Sequence, residues 1–295
     1  MSHTPRRPWL DISLAWYFVG IWGAGYLATK LGLRFAAPFT FLSLRYLFGL
    51  ACLLPVMIVL RPRWPASRAE LTHVIVAGLL MHAVQLGGSH YAQYLGMSAG
   101  VMALIASTQP LLTALIAARW LGERLVARQW LGVLVGFAGV VLVVWHKIDI
   151  REIGAASLLG AVVALGAVTA GTLYQRRYCP RTDLLGASFV QFAASLIVLA
   201  PLALAVEDFQ VSWDWRLLGA IAFLVILASL LAVNALHTLM RRGEASRVAS
   251  MLYLPPLIAV VLEFTMFGVQ PAAFAMLGIA ITCAGVALTA WRVAR

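Results

Sequence analysis

Polar side chains that lie inside long apolar segments are the residues of this chain whose types and spacing could do chemistry. In the third such segment Gly78, His82, Gln85, Ser89 and Gln93 recur every three or four residues, which places them on one face of a helix. A polar group in an apolar segment is unfavourable unless it faces a cavity or has a partner. We therefore predict that His82, Gln85 and Ser89 contact a small-molecule ligand; hydrogen bonds to neighbouring helices are the alternative.

Two other segments carry a proline near their middle. Gln109 directly precedes Pro110, and Tyr253 lies shortly before Pro256. Proline removes the hydrogen bond to the carbonyl about four residues earlier, so this carbonyl needs another donor and the helix can bend. We predict hinges at Pro110 and Pro256 and ligand contacts from Gln109 and Tyr253. The alternative is that proline is simply commoner in membrane helices than in soluble ones.

Aromatic and amide side chains complete the predicted ligand site. Trp22 and Tyr26 are four residues apart in the first apolar segment, and their rings could form flat walls for an organic ligand. Anchoring at the membrane interface is the alternative role for such rings. In the eighth segment we favour Asn234.

Two charged side chains, Arg45 and Glu263, lie more than three residues from either end of their predicted apolar segments. We expect Arg45 to be structural, because it is near enough to one end to extend to the interface or to hold backbone carbonyls. Glu263 could take up and release a proton during a working cycle. Alternatively, it reaches water or pairs with Arg216.

The composition determines which elements can position these residues. Hydrophobic residues make up 62% of the chain and charged residues 11%, and the mean hydropathy is +0.91. A soluble domain has about a quarter of its residues charged, so this class is excluded. The apolar runs are about 20 residues long, which is enough for a helix to cross a bilayer, and they lack the alternation of barrel strands. The chain is therefore predicted to be an all-α integral membrane protein.

We predict ten transmembrane helices, at 10–29, 38–60, 71–92, 98–118, 129–145, 154–174, 184–206, 217–237, 245–267 and 272–291. The chain also matches itself at an offset of 146 residues, which pairs Pro110 with Pro256 and Gly139 with Gly285. Residues 1–147 and 148–295 are thus expected to form two repeats of five helices. Because five is odd, the second repeat would be inverted relative to the first.

Most of the 22 Lys and Arg residues fall in the six segments that are cytoplasmic if the N-terminus is inside. This distribution predicts cytoplasmic N- and C-termini and a multi-pass protein of a bacterial inner membrane. The first apolar run is expected to stay in the protein, since it does not resemble a cleavable export signal. The net charge of +11 is spread over these segments, so we expect no nucleic-acid partner.

No cofactor or metal is predicted. Cys52, Cys179 and Cys283 lack the spacing of a disulfide, zinc or redox site. His82 and His90 are about two turns apart, and no aspartate or second glutamate well inside a span accompanies them, so neither a metal site nor an acid–base pair is indicated.

The stretch SAGVMALIASTQPLLTALIAARWLGERLVARQWLGVLVGFAGVVLVV, together with Trp22-Gly23, Pro38 and Arg45 in the first two spans, resembles the drug/metabolite transporter superfamily of the EamA type. The resemblance implies a ten-helix carrier with both termini inside. It also implies a central cavity lined mainly by the first, third, fourth, sixth, eighth and ninth helices. The fifth and tenth helices are often set apart for contact between protomers.

Small residues form ridges on the fifth and tenth helices, at Gly132, Gly136 and Gly139 and at Gly278, Thr282 and Gly285. Such ridges suit close helix contact. They could form a homodimer through the fifth and tenth helices, or they could pack within one chain.

These observations predict a secondary transporter that exports small organic metabolites by alternating access. Amino acids, including aromatic ones, are the favoured substrates, because the predicted lining combines aromatic rings with neutral polar groups. Nucleobases or amphiphilic cations are alternative substrates. A channel or a membrane-embedded enzyme is the alternative of another class.

Overall fold

A computed structural model describes residues 8–120, 126–149, 153–232 and 254–290. Within these ranges the regular secondary structure is helical, apart from an isolated antiparallel bridge between Ala36 and Val211. The helices are α1 (Pro8–Gly32), α2 (Pro38–Leu60), α3 (Arg68–Tyr94), α4 (Ala99–Ser107), α5 (Gln109–Trp120), α6 (Ala127–Asp149), α7 (Ala155–Tyr178), α8 (Leu184–Glu207), α9 (Trp215–Ala232), α10 (Pro255–Phe267) and α11 (Ala273–Ala290).

Five of these helices, α2, α3, α7, α8 and α9, are long and apolar enough to cross a membrane. Shorter apolar stretches occupy Ala99–Thr113, Ala127–Val143, Pro255–Phe267 and Ala273–Leu288. Each described helix overlaps one of the ten predicted spans, with α4 and α5 sharing the fourth. The chain is therefore a multi-pass helical membrane protein, and the count of ten spans stays a prediction.

Helices α2 and α8, which the offset of 146 residues pairs, pack against each other in opposite directions. At one end of the pair, the Glu207 carboxylate of α8 accepts hydrogen bonds from the first turn of α2, at the Phe39 and Thr40 amides (3.0 and 2.7 Å). At the other end, Trp64 lies edge-on against Phe189 with ring centroids 5.7 Å apart. We call the first end the α1–α2 end of the bundle, and the second the α2–α3 end.

The helix of the fourth predicted span is interrupted at Thr108, between α4 and α5. Pro110 follows in the first turn of α5. The hydroxyls of Ser107 and Thr108 donate to the Leu104 and Ile105 carbonyls at 2.7 and 2.6 Å. Local hydroxyls thus donate to carbonyls beside the break, and the Ile105 carbonyl also accepts from the Thr108 amide at 3.1 Å. Pro256 lies in the first turn of α10, and the residues that precede this helix lie outside the described ranges.

Two helices contain a π-helical segment, Leu79–Val84 in α3 and Phe223–Ala232 in α9. The offset of 146 residues places these segments at matching positions. A π-helical turn changes the backbone hydrogen bonding, so its carbonyls are open to other donors. The Tyr46 hydroxyl of α2 donates to the His82 carbonyl at 2.9 Å, and the Tyr17 hydroxyl of α1 donates to the Leu227 carbonyl at 3.3 Å.

The small-residue ridges of α6 and α11 face each other within one chain. A Cβ placed on Gly139 would lie 2.6 Å from the Gly278 carbonyl oxygen, and one on Gly285 would lie 2.7 Å from the Gly132 carbonyl oxygen. The Thr282 hydroxyl contacts the Gly136 carbonyl oxygen at 3.3 Å. Internal packing therefore uses both ridges. The expectation that these ridges join two protomers is not supported, because their small residues already contact each other.

Substituting Gly139 by alanine should destabilise the protein by roughly 1–3 kcal/mol, because the added methyl group meets backbone atoms that cannot rotate away. The thermal unfolding temperature in detergent, followed by fluorescence-detected size exclusion, measures the loss. The matched control is Gly166→Ala in α7, where an added Cβ has no atom within 4 Å. Equal unfolding temperatures for the two variants would contradict the close contact between α6 and α11.

Candidate functional site

Glu263 of α10 is almost fully buried, and three donors surround its carboxylate. The Lys30 ammonium of α1 lies 2.5 Å from one carboxylate oxygen, which also accepts from the Ala99 amide at 3.1 Å. The other oxygen accepts from the Gly100 amide at 3.1 Å. The two amides open α4, where the free N–H groups and the helix dipole favour an anion. We call Lys30, Ala99, Gly100 and Glu263 the Glu263 clasp.

The alternative expectation that Glu263 pairs with Arg216 is wrong, because Glu263 pairs with Lys30. Lys30 lies in the last turn of α1, and α1 packs directly against α10. Arg216 opens α9, and its guanidinium lies over the ring of its neighbour Trp215 at 5.5 Å. The clasp thus joins α1, α4 and α10 at the α1–α2 end of the bundle.

Glycine contacts bring α1 and α10 together further along their length. A Cβ placed on Gly23 would lie 2.9 Å from the Pro255 carbonyl oxygen and from the Ile258 side chain. Beyond the clasp, the Arg34 guanidinium lies over the Phe267 ring at 4.7 Å. The space between α1, α4 and α10 is therefore closed at the α1–α2 end.

A second polar cluster joins α2, α3, α8 and α9 in the interior. His82, in the π-helical segment of α3, has its Nε2 atom 3.3 Å from the Gln191 Oε1 atom of α8. The Arg45 guanidinium of α2 donates to the Ser229 hydroxyl of α9 at 3.2 Å. Tyr46, next to Arg45, connects the two contacts through its hydrogen bond to the His82 carbonyl. We call these five residues the Arg45–His82 cluster.

The observed partner of Arg45 differs from the expected ones. Its described hydrogen bond goes to a side-chain hydroxyl, whereas the sequence suggested contact with the interface or with backbone carbonyls. Ser229 in turn donates to the Leu224 carbonyl at 2.9 Å, so the hydroxyl that receives Arg45 is itself fixed to the backbone.

The other predicted ligand-binding residues do not join one cluster through described contacts. Gln109 donates to the Thr172 hydroxyl of α7 at 3.0 Å. Trp22 is 40% exposed, Tyr26 and Gln85 are partly buried, and Ser89 is buried. Asn234 and Tyr253 lie outside the described residues. The roles of these residues in ligand binding, and those of Pro110 and Pro256 as hinges, stay predictions.

A cavity of about 1010 Å³ opens at the α1–α2 end, and no residue of either polar cluster lines it. Its wall includes Phe35, Phe39, Tyr91, Tyr94 and Glu207. None of the predicted ligand-binding residues lines this cavity. We give the interior polar cluster more weight as a site, because buried hydrogen-bonding groups define a ligand more sharply than an open surface does.

Four residues that contribute side chains to these clusters, Lys30, Tyr46, Gln191 and Ser229, were not among those that the sequence singled out, and neither were Ala99 and Gly100, which contribute backbone amides. Gln191 and Ser229 are polar residues in apolar helices, so the argument that selected His82 applies to them equally. Lys30 lies at a helix end, where a lysine is expected to meet water. Its pairing depends on how α1 and α10 pack, which no local pattern contains.

Among the described residues, no group of three or more His, Cys, Asp or Glu side chains is arranged to hold a metal ion.

The model of the EamA-like transporter family matches the sequence twice, over residues 10–145 and 154–291. The chain belongs to this family. It is therefore a transporter and not an enzyme. The two matches also show that the family's domain occurs twice along the chain.

Similar proteins share the chain over most of its length. The uncharacterized transporter YvbV of Bacillus subtilis is 27% identical over 255 residues, which cover 83% of this chain and 80% of YvbV. The uncharacterized inner membrane transporter YedA of Escherichia coli K12 is 24% identical, covering 82% of this chain and 78% of YedA. A "Probable amino-acid metabolite efflux pump" of Salmonella typhimurium is 25% identical, covering 88% of this chain and 89% of the pump.

A solved crystal structure has a similar fold. It superposes with a TM-score of 0.64 at 20% sequence identity, over 95% of this chain and 96% of the other. At this identity the likeness concerns the helical architecture alone.

Removing one charge of the Glu263 clasp should destabilise the protein more than removing both charges. Lys30→Met should lower the unfolding temperature, because it leaves a buried carboxylate without its counter-charge, at a cost of about 3–5 kcal/mol. Adding Glu263→Gln to this variant should restore part of the loss. The control is Arg216→Met, which should unfold at the wild-type temperature. A Lys30→Met protein as stable as wild type would show that the ion pair is absent.

Proposed function

We propose that this transporter exports small organic metabolites, with amino acids including aromatic ones as its main substrates. The observation that carries this proposal is the interior Arg45–His82 cluster, which combines neutral polar groups, aromatic rings and one guanidinium. The ring centroids of His82 and Phe192 lie 5.1 Å apart, and those of Tyr46 and Phe192 lie 5.3 Å apart. The name of the Salmonella typhimurium relative, an amino-acid metabolite efflux pump, agrees with this substrate class.

We further propose that ten helices form two inverted repeats, residues 1–147 and 148–295, in a bacterial inner membrane with both termini cytoplasmic. Three observations support the inversion. The family model matches twice, the paired helices α2 and α8 run in opposite directions, and the π-helical segments of α3 and α9 occur at matching positions. The relative YedA is named an inner membrane transporter.

In this topology the α1–α2 end faces outward, and the Glu263 clasp closes the outer side. Opening this side for substrate release would separate α10 from α1 and α4, with Pro110 and Pro256 as the hinges. Inverted repeats of this kind build two gates around one central site. The clasp would hold the outer gate shut while substrate enters from the cytoplasm.

Glu263 is also the proposed coupling residue. Protonation would cancel its ion pair with Lys30 and weaken its bonds to the Ala99 and Gly100 amides, so a proton arriving from outside would favour the open gate. Proton entry would then accompany substrate exit. The space predicted for the substrate is still bounded by Trp22, Tyr26 and the third, fourth, eighth and ninth predicted spans. In the structure these spans correspond to α3, to α4 with α5, to α9 and to α10.

Nucleobases and amphiphilic cations remain the alternative substrates, and a channel remains the alternative mechanism. A channel would pass substrate at a rate that rises linearly with concentration, whereas a carrier saturates and exchanges substrate across the membrane.

Purified protein in liposomes should exchange radiolabelled phenylalanine for unlabelled phenylalanine and should saturate with concentration. Counterflow over the twenty amino acids, nucleobases and quaternary amines measures the preference. Flux of another class in the absence of flux of every amino acid would contradict the proposed substrate, and flux that does not saturate would indicate a channel.

A pH gradient should drive wild-type protein to accumulate phenylalanine above the equilibrium level, whereas Glu263→Gln should only equilibrate it, because glutamine cannot carry the proton. Asp208→Asn is the matched control, since Asp208 is an exposed carboxylate at the same end of the bundle. This control should accumulate phenylalanine like wild type. Accumulation by Glu263→Gln at the wild-type level would place coupling elsewhere.

A further inference from the structure

We propose that Arg45 binds the carboxylate of the transported substrate, so that the substrate is recognised through this group and not through its amine. This inference rests on the proposed function and names the chemistry of its site. The sequence alone suggested a structural role for Arg45. The contacts of the Arg45–His82 cluster point instead to a site with an excess of hydrogen-bond donors and a positive charge.

The position of Arg45 makes an uncompensated charge costly. It lies seven residues inside α2, or about 10 Å from the start of that helix at 1.5 Å per residue. Its hydrogen bond to α9, together with the bond of the adjacent Tyr46 to α3, places it between helices, where its side chain is partly buried. A guanidinium at this depth needs an anion or several acceptors.

Arg45 finds few acceptors among the described residues. A guanidinium carries five N–H donors, and the described hydrogen bond of Arg45 goes to Ser229. Within the described ranges the one ion pair is that of Lys30 with Glu263, so no described carboxylate lies within 4.0 Å of Arg45. The groups on which it acts electrostatically include His82 and His90, and neither supplies a negative charge.

Three backbone carbonyls of the π-helical segments accept hydrogen bonds from side chains other than Arg45. Tyr46 donates to the His82 carbonyl, Tyr17 donates to the Leu227 carbonyl, and Ser229 donates to the Leu224 carbonyl. These are carbonyls of the two π-helical segments, where open acceptors would be expected. Among the described hydrogen bonds, none joins the Arg45 guanidinium to a backbone carbonyl.

Gln191 adds a second donor without an acceptor. Its side-chain oxygen faces His82, while its Nε2 atom is buried and has no hydrogen-bond partner among the described residues. Its residue exposure is 6%. A buried amide N–H and a guanidinium with free donors in one cluster both call for an acceptor, and a carboxylate can accept from Arg45 in bidentate geometry.

Ser229 orients the Arg45 guanidinium for binding a carboxylate. It fixes one N–H of the guanidinium and is held by the Leu224 carbonyl, which leaves the remaining donors for a ligand. The rings of Tyr46 and Phe192 lie beside the cluster, so an apolar or aromatic group attached to the carboxylate has a wall of matching chemistry. The expected ligand is an organic monocarboxylate with an apolar side chain.

Three probes that share one benzyl group separate the carboxylate from the amine: phenylalanine, phenyllactate and phenylalaninamide. In wild-type liposomes, unlabelled phenylalanine and phenyllactate should both compete with labelled phenylalanine in counterflow, whereas phenylalaninamide should not. Arg45→Gln should raise the half-saturating phenylalanine concentration by at least about tenfold, the effect of losing a hydrogen-bonded charge. Arg45→Lys, which keeps the charge but loses the planar fork, should give a smaller increase.

Arg68→Gln is the matched control, because Arg68 is exposed at the α2–α3 end, and its half-saturating concentration should equal that of wild type. The proposal is overturned if phenylalaninamide competes as well as phenylalanine, or if folded Arg45→Gln has the wild-type half-saturating concentration. Should Arg45→Gln fail to fold, an unchanged half-saturating concentration in Arg45→Lys overturns the proposal in its place.

Ligand-induced thermal stabilisation separates this proposal from the proposed function. In one outcome, wild type moves no amino acid while phenyllactate raises its unfolding temperature and Arg45→Lys loses this shift. That result supports the carboxylate site and contradicts amino-acid export. If wild type transports phenylalanine, but phenyllactate does not shift its unfolding temperature and phenylalaninamide competes, the result supports export and contradicts the carboxylate site.

Discussion

The constraint on which this structure depends is the absence of water from the apolar body of a membrane protein. Every backbone or side-chain polar group that leaves regular helical pairing must find its partner inside the protein. In the described part of the chain, α-helical geometry is interrupted within a predicted span at the break at Thr108 and in the two π-helical segments. In each of them a hydroxyl group, from Thr108, Tyr46 or Tyr17, donates to an exposed carbonyl. Irregular backbone and hydroxyl side chains therefore occur together.

The same constraint explains the two carboxylates at the α1–α2 end. The residue before α2 is Ala37, which has no side chain to cap the helix. Glu207 supplies the missing acceptor from α8. At α4 the Ser98 hydroxyl accepts from the Val101 amide, and Glu263 of α10 accepts from the Ala99 and Gly100 amides. Each helix N-terminus offers free N–H groups and a partial positive charge, so a carboxylate from another helix both caps the helix and fixes the packing of the pair. Glu263 differs from Glu207 in also pairing with a lysine, which makes its contacts sensitive to the loss of one charge.

Packing between α6 and α11 follows a separate rule, because it involves almost no polar side chains. The glycine ridges let the backbones of α6 and α11 come into direct contact. The free energy of association then comes from van der Waals contact, since lipid offers no hydrophobic driving force. Polar clusters that join α1, α4 and α10 on one side, and α2, α3, α8 and α9 on the other, are the contacts that a change between two states would have to break or keep.

The sequence by itself determined the class of this protein, because hydropathy and run length leave a helical membrane protein as the solution. It also determined the positions of the helices, the helix break beside Pro110 and the duplication, since apolar runs, proline and repeated glycines act locally or at a fixed offset. The family model confirms the transporter class. His82 was found in the same way, as a polar residue in an apolar run.

Only the tertiary structure decided which polar side chains pair with each other. The pairing of Glu263 with Lys30, of Arg45 with Ser229 and of His82 with Gln191 joins residues that are between 109 and 233 positions apart, and no periodicity encodes such distances. Likewise, the glycine ridges have the same sequence whether they meet within one chain or between two. Which polar groups are left with donors and no acceptor depends on every neighbour at once, and for this reason the carboxylate site could be inferred from the packed helices and not from their sequences.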